Sequence, residues 1–291
     1  KVVLTHRYKL LRYLWFCKLF YPKLKIIFHA VISGTFKGCH RKILFKIFKR
    51  KIDKILVNSL ALKEEMISQG LVRENEVEIL YSGIDLSEFD VDISKEEVKI
   101  HYNLPLDVPI LGMIARFRGE KDQRCLIWAV KKLKDNGYNL RLILVGDGPY
   151  EDRCKKLVEH LGLMNEVIFF GRVSANEVPK ILKALDLFVY ATNREGMPLA
   201  VLEAMASGLP IIATDAEGIP DLFQDELTFG IMVPKGDPQA LASAIEKILN
   251  LPEDERLALG KNAREVVAKR FSAEILKDRT IKLFKEMLDL S

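Results

Sequence analysis

The stretch of sequence that decides the fold runs from residue 193 to residue 221 and reads NREGMPLAVLEAMASGLPIIATDAEGIPD. It combines a turn containing glycine and proline, an apolar helical run and a short buried strand at Pro210–Ala213. Pro198 suits the first residue of the helix, where its missing N–H is not needed, and Gly196 lets a ligand approach the backbone closely. The free amides at this helix start predict an anion site, placed where open α/β sheets bind ligands.

Two glutamates, Glu195 and Glu203, lie on either side of this helix start. The pattern places Glu195 in the loop and Glu203 more than one turn inside the helix, on the order of 10 Å apart from helical rise alone. That spacing suits a ligand with hydroxyls at both ends and a diphosphate between them. Taken without their context, the two carboxylates also fit a solvated loop acid and a helix-face acid.

Apolar runs and helical patterns alternate along the whole chain on both sides of this stretch. Continuous Val/Ile/Leu runs separated by helix-length connections indicate parallel sheet covered on both faces. The predicted strands are Val2–Leu4, Leu24–Phe28, Ile55–Val57, Val77–Leu80, Ile110–Ala115, Leu140–Val145, Val167–Phe170, Leu187–Tyr190, Pro210–Ala213 and Ile231–Val233. The predicted helices cover 9–20, 40–51, 60–69, 122–136, 150–161, 175–184, 199–207 and 237–249. The sequence therefore predicts an α/β fold of two doubly wound parallel-sheet (Rossmann-like) domains facing a cleft.

A polar segment, 85–108, separates the first four predicted strands from the other six. We expect residues 1–93 and residues 94–272 to form two separate domains. Because the chain opens directly in a strand without a methionine, we also expect the first domain to be incomplete.

A pair of cations follows the predicted strand Ile110–Ala115. Arg116 and Lys121 flank a glycine turn at the carboxyl end of this strand, so both can reach into the cleft. A forked guanidinium with an ammonium neutralises phosphate oxygens well, and cations beside a departing diphosphate favour the transition state. The simpler interpretation is a pair of ordinary charges at a strand end.

The composition of the 291 residues excludes several classes of protein. Hydrophobic residues make up 49% and charged residues 29%, which is typical of a globular chain. No apolar run has the length of a transmembrane helix. The four cysteines lie far apart without a Cys-x-x-Cys pair, so neither a disulfide scaffold nor a zinc site is predicted. A reducing, cytoplasmic compartment and no metal are therefore expected.

Charge is distributed unevenly along the chain. Residues 1–54 hold 15 Lys and Arg, 10 aromatic residues and a single acid, Asp53. Basic helices with interleaved Trp and Phe are typical of anionic bilayer surfaces, whereas no nucleic-acid-binding motif is present. We therefore expect peripheral attachment to the inner face of a membrane, the alternative being two core-packed helices with a solvated basic outside.

Together these stretches resemble the retaining glycosyltransferases of family 4, which have the two-domain GT-B fold. The matching positions are Gly83-Ile84-Asp85-x-x-x-Phe89, Ala115-Arg116-x-x-x-Glu120-Lys121, Gly146-Asp147-Gly148-Pro149, Phe170-Gly171-x-Val173 and Glu195-Gly196-Met197-Pro198-Leu199 followed by Glu203-Ala204-Met205-Ala206-x-Gly208-x-Pro210. The family's N-terminal Gly-rich loop has no counterpart here. The resemblance also implies that residues 1–93 form the acceptor-side domain and that residues 94–272 form the nucleotide-sugar-binding domain. It further implies that the terminal helix, within 273–291, crosses back onto the first domain.

The resemblance implies a role for each matching residue. Arg116 and Lys121 grip the donor diphosphate, and Glu195 holds the hydroxyls of the donor sugar. Glu203 binds the nucleotide ribose, and His29, at the end of a first-domain strand, lies near the reacting sugar; the alternative for His29 is a satisfied core histidine. The implied backbone contacts come from Gly196, Met197, Pro198 and Leu199 for the donor and from Arg172 and Val173 for the base.

The implied activity is metal-independent hexosyl transfer from a nucleotide-diphosphate sugar, with a UDP-sugar slightly favoured and no cofactor. The expected acceptor is a glycan or a lipid-linked glycan in cell-envelope polysaccharide or lipopolysaccharide synthesis. Two alternatives stay open, a GT-B nucleotide-sugar epimerase and a non-catalytic nucleotide-binding remnant.

Overall fold

The computed structural model describes residues 1–32, 34–36, 38–224 and 227–288. The chain divides into two compact units. The N-terminal unit comprises Lys1–Gly83, Glu195–Met197 and the segment that begins at Ala273, and the C-terminal unit comprises Ile84–Arg194 and Pro198–Ser272.

The first division falls at residue 83 and not at the expected residue 93. The Ile84 amide donates to the Phe271 carbonyl at 2.8 Å, and Asp90 forms an ion pair with Arg264 at 2.6 Å. These bonds join residues 84–93 to the C-terminal unit, which a polar stretch of sequence does not reveal.

A parallel sheet forms the centre of the N-terminal unit. Its elements are β1 (Val2–Thr5), α1 (Tyr8–Phe20), β2 (Lys25–Ala30), α2 (Cys39–Lys49), β3 (Lys54–Val57), α3 (Leu60–Ser68) and β4 (Val77–Ile79). Across the described residues, the four strands pair in the order β1-β2-β3-β4. Each strand thus lies beside the next one along the chain and is joined to it by a crossover connection, as parallel pairing needs.

Both faces of this sheet are covered, because alternate residues of a strand point to opposite sides. Phe28 of β2 packs with Phe45 of α2 on one face. Ile27 packs on the other face with Leu283 of the C-terminal helix (Ala273–Met287). Of the predicted terminal segment 273–291, residues 289–291 lie outside the described residues.

The C-terminal unit contains a larger parallel sheet. Its elements are α4 (Lys95–His101), β5 (Ile110–Ile114), α5 (Gln123–Asp135), β6 (Arg141–Val145), α6 (Glu151–His160), β7 (Val167–Gly171), α7 (Val178–Ala184), β8 (Leu187–Tyr190), α8 (Leu199–Ala206), β9 (Ile211–Thr214), β10 (Gly230–Val233), α9 (Pro238–Leu249) and α10 (Glu253–Arg270). In the part of the unit that the structure describes, six strands pair in the order β10-β9-β8-β5-β6-β7. The predicted α/β class with two Rossmann-like parallel sheets is therefore confirmed.

Two helices, α4 and α10, lie outside the predicted elements. The buried residues of α10 are small or β-branched, such as Gly260 and Ala263. A Cβ on Gly260 would come within 1.9 Å of the Gly208 carbonyl oxygen, so this helix packs backbone against backbone and lacks the broad apolar stripe that predicts a helix. Among the described residues, no helix is both long enough and apolar enough to cross a membrane.

Candidate functional site

The strand order of the C-terminal unit changes direction at β5, which has β8 on one side and β6 on the other. Ligands of open α/β sheets bind outside the carboxyl ends of the strands at such a position. Arg116 and Lys121 lie in the segment after β5, and Pro198 and Leu199 follow β8. The structure thus brings these four predicted residues to the carboxyl-end edge of one sheet.

Two glycines after β6 hold the segment that carries the cations. Gly146 and Gly148 have positive φ angles of 135° and 149°, which strongly favour glycine. A Cβ on Gly146 would lie 2.2 Å from the Ala115 carbonyl oxygen, and one on Gly148 would lie 2.4 Å from that of Phe117. The Phe117 amide donates to the Asp147 carbonyl at 2.8 Å, so the two segments form one rigid edge.

Arg116 extends from this edge with its side chain 62% exposed. Its Nε lies 3.7 Å from an oxygen of Asp147, which is itself exposed. Such a pair is weak in water. The guanidinium can therefore turn from Asp147 to a phosphate that offers it two oxygens at once.

Lys121 is held more firmly than Arg116. Its ammonium donates to the Tyr190 hydroxyl at 2.8 Å and lies 5.0 Å from the centre of the Tyr190 ring. Its backbone also bridges to Thr192. The positive charge is thus fixed at the carboxyl end of β8, where an incoming diphosphate needs no rearrangement of the lysine.

Helix α8 has no side-chain cap at its N-terminus and carries a half-buried acid, Glu203. The sequence predicts Pro198 as the first helical residue, but the structure shows it as the N-cap residue, with φ −81° and ψ 91°. Glu203 lies one turn further along, and no cation of the described residues pairs with its carboxylate. Burial and the nearby Glu88 carboxylate raise the pKa of Glu203. Burying the ionised carboxylate of Glu203 lowers the stability of the fold. A ligand whose hydroxyls donate hydrogen bonds to the carboxylate would offset this cost.

The two residues predicted to hold the base follow β7. Gly171, with φ 71°, ends the strand, and its carbonyl accepts from the Gly146 amide at 2.8 Å. Arg172 is exposed and Val173 is half-buried. The end of β7 is therefore tied to the glycine segment after β6, and Arg172 and Val173 share the edge that carries Arg116.

His29 is the penultimate residue of β2 in the N-terminal unit, one residue short of the strand end. It is 7% exposed, and its ring lies 5.0 Å from that of His6. Burial, chiefly, and the neighbouring His6 lower its pKa to about 4, while a hydrogen bond to the Leu80 backbone opposes them. Its Nε2 has no hydrogen-bond partner among the described residues, so His29 is not a fully satisfied core histidine.

Glu195–Met197 also belong to the N-terminal unit. A Cβ on Gly196 would meet the Val31 carbonyl oxygen at 3.0 Å and the Asn58 amide nitrogen at 3.4 Å. The glycine therefore permits close packing against the protein's own residues at the end of β2; the predicted approach of a ligand to Gly196 stays a prediction. Glu195 accepts from the Gly196 amide at 3.2 Å, and Met197 is buried.

Sequence reasoning missed the residues that hold the predicted ones in place. Tyr190 anchors Lys121, and the Gln123 side chain donates to the Arg116 carbonyl at 3.2 Å. Tyr190 ends a predicted strand beside the predicted cleft, and that position was the available signal. Nothing in the sequence indicated Gln123.

Comparison with solved structures places the fold among the GT-B glycosyltransferases. Anabaena HepE in complex with UDP has a TM-score of 0.86 at 20% identity, over 98% of this chain and 79% of that one. Sucrose-phosphate synthase from Thermosynechococcus elongatus also has a TM-score of 0.86, at 23% identity, over 100% and 74% of the two chains. The expected GT-B type is confirmed at the level of fold.

Two of the sequence relatives are named for the biosynthesis of bacterial capsular polysaccharide or colanic acid. The chain is 30% identical over 87% of its length to the putative colanic acid biosynthesis glycosyltransferase WcaL of Escherichia coli, and it spans 62% of that protein. It is 30% identical over 80% of its length to the capsular polysaccharide biosynthesis glycosyltransferase CapM of Staphylococcus aureus, again spanning 62% of it. Residues 94–266, more than half of the chain, match the model of the glycosyl transferases group 1. The chain belongs to the group 1 glycosyl transferases.

Proposed function

We propose that this protein transfers a hexosyl group from a nucleotide-diphosphate sugar to a glycan or lipid-linked acceptor, with retention of configuration and without a metal. The observation that carries the proposal is the single sheet edge that presents Arg116 and the anchored Lys121 beside β5 and β8. A guanidinium and an ammonium presented at one edge match the charge of a diphosphate.

The two cations act on the leaving group. As the bond from the anomeric carbon to the diphosphate oxygen breaks, negative charge grows on that oxygen and strengthens its attraction to Lys121 and Arg116. The acceptor hydroxyl attacks from the same face, and its proton passes to the departing oxygen. The new glycosidic bond then keeps the original configuration, and the protein supplies position and charge stabilisation.

The remaining donor contacts are assigned by residue type and position. Glu203 accepts hydrogen bonds from the ribose hydroxyls, and Arg172 and Val173 hold the base. Leu199 and Pro198 offer the amide-rich start of α8 to the diphosphate. UDP is the favoured nucleotide, which the UDP bound in the similarly folded HepE supports.

The N-terminal unit supplies the groups near the reacting sugar. Glu195 binds sugar hydroxyls, with Gly196 and Met197 contributing backbone groups. His29 is neutral at pH 7, since its pKa is about 4, and its free Nε2 is a hydrogen-bonding atom without a competing partner among the described residues. A neutral imidazole can bind a hydroxyl without attracting a second anion.

The acceptor is proposed to lie at an anionic membrane surface on the cytoplasmic side. Helices α1 and α2 are joined by the Tyr8 hydroxyl, which donates to the Arg41 carbonyl at 3.1 Å. Both helices expose large apolar side chains among their lysines and arginines, including Phe16, Phe20 and Ile43. Apolar and basic side chains together bind interfaces of anionic lipid. A lipid-linked acceptor in envelope polysaccharide synthesis suits such a surface.

Slow hydrolysis of the donor tests the chemistry without a known acceptor. Proton NMR of UDP-glucose incubated with the protein should show release of α-glucose, the retained anomer, with chelator causing no loss. Lys121→Ala should lower the rate by about 100-fold, whereas Lys247→Ala, an exposed lysine of α9, should leave it unchanged. Release of the β anomer would refute retention, and conversion of the bound sugar into an epimer would favour the epimerase.

Flotation with vesicles tests the membrane proposal. Binding to phosphatidylglycerol vesicles should exceed binding to phosphatidylcholine vesicles at low salt and should fall as salt rises. Phe16→Ser with Phe20→Ser should weaken it, whereas Met164→Ser, an exposed apolar residue of the C-terminal unit, should not. Equal absence of binding to both vesicle types would make a soluble acceptor the better proposal.

A further inference from the structure

We propose that a cavity in the N-terminal unit binds the phosphate group of a phosphorylated ligand; that this ligand is the acceptor or its carrier rests on the proposed function. The cavity has a volume of about 540 Å³. It lies at the carboxyl ends of β1 and β2, beside the first turns of α1 and α2. Its basic lining residues are His6, Arg7, Lys9, His40 and Arg41.

The positive charge of this cavity is uncompensated. No carboxylate is present among the described residues that line it. Asp53, the single acid of residues 1–54, is engaged elsewhere by Lys18. Neither arginine of the cavity has an ion-pair partner within the described part of the chain. Because like charges gathered in one cavity repel one another, an anion bound there would be stabilised by Arg7, Lys9 and Arg41 together.

Internal contacts hold the arginine on α2 in position. Arg41 donates from Nη1 to the Thr35 carbonyl at 3.1 Å, and its own carbonyl accepts from the Tyr8 hydroxyl. The Tyr8 ring packs edge-on against Phe36, with centres 5.4 Å apart. The guanidinium is therefore oriented before any ligand arrives, and its other N–H groups remain for a phosphate.

The two helix starts beside the cavity add further donors. The N-cap residues of α1 and α2 are Arg7 and Gly38, and neither makes a side-chain capping hydrogen bond. Neither helix has an acid in its first turn. Helix α3 differs, because Ser59 caps it by accepting from the Leu62 amide at 3.2 Å. Uncapped amides together with the positive end of the helix dipole favour an anion.

The cavity also borders the proposed reaction centre of the N-terminal unit. His6 lines the cavity, and its ring contacts that of His29 at 5.0 Å between centres. A phosphate held there would keep its attached sugar near His29. Two sources share this chemistry, a free sugar phosphate and the phosphorylated headgroup of a lipid carrier.

Calorimetry on the full chain tests the site, with inorganic pyrophosphate as the probe and UDP present at saturation so that the donor site is filled. Arg7→Gln and Arg41→Gln should each weaken pyrophosphate binding by about tenfold. Arg50→Gln, an exposed arginine at the end of α2, is the matched control and should change it less than twofold. The C2 protons of His6 and His40 should shift in NMR spectra on pyrophosphate addition and thereby locate the site.

The ligand source is distinguished by two further probes. Tighter binding of glucose 1-phosphate than of pyrophosphate supports a free sugar phosphate, and tighter binding of farnesyl diphosphate supports a lipid carrier. Equal pyrophosphate affinity in the wild type and both cavity variants would overturn the proposal, as would binding to phosphatidylglycerol vesicles without any binding of pyrophosphate. UDP affinity should be the same in the wild type and in all variants. A wild type that does not bind UDP would count against the proposed donor site and not against this cavity.

Discussion

Protonation of His29 should destabilise the fold in a defined pH window. An unfolded histidine titrates near 6.5, whereas burial and His6 lower the pKa of His29 to about 4 in the folded protein. Between these values the unfolded state binds more protons, so the free energy of unfolding falls as the pH is lowered. The part of the free energy of unfolding that depends on neutral His29 is fully present above pH 6.5 and is lost as the pH falls towards 4. It amounts to about 3 kcal/mol at most, at 1.36 kcal/mol for each pH unit.

The matched variant is His29→Gln, which cannot titrate in this range. Urea unfolding at pH 7.0, 5.5 and 4.5 measures the free energy of unfolding of both proteins. It should fall with pH in the wild type, and the fall should be smaller by about 2 kcal/mol in His29→Gln. His160→Gln, at the exposed end of α6, serves as the control and should follow the wild type. Identical pH dependence in wild type and His29→Gln would refute the conclusion that His29 is buried in its neutral form.

Three further changes test the site and the core. Glu203→Gln should raise the free energy of unfolding at pH 7, because it removes a carboxylate that burial destabilises; thermal denaturation measures this effect. The same change should weaken UDP binding about tenfold, which calorimetry measures. Gly146→Ala should lower stability by about 2 kcal/mol or more, since its Cβ would meet the Ala115 carbonyl at 2.2 Å, and UDP affinity should fall with it. Phe45→Ala should lower the free energy of unfolding by about 3–5 kcal/mol, because this fully buried ring packs 4.6 Å from Phe36; urea unfolding checks it.

The strands could be predicted from the sequence because parallel strands bury both faces and appear as continuous apolar runs. Leu187–Tyr190, for example, has the same bounds in the sequence prediction and in the structure. Helix α10 could not be predicted so easily, since its buried side depends on Gly260 lying against the Gly208 backbone. A packing partner distant along the chain decides whether such a polar segment forms a helix.

The candidate site shows the same limit. The chemistry of Arg116 and Lys121 follows from residue type and position after a strand. The difference in mobility between the two side chains does not follow from the sequence. It depends on Tyr190, which holds Lys121, and on exposed Asp147, which pairs only weakly with Arg116. The uneven charge of residues 1–54 predicted an anionic partner, but the cavity beside Arg41 required the register of β1 against β2.

The central claim is that the C-terminal unit binds the diphosphate of a nucleotide through Arg116 and Lys121 and its ribose through Glu203. Calorimetric titration of the full chain with UDP and with uridine tests it most directly. UDP should bind more tightly than uridine, Lys121→Ala should remove most of that difference, and Glu203→Gln should weaken both ligands by a similar factor. Equal affinities for UDP and uridine, or UDP binding unchanged in both variants, would contradict the account.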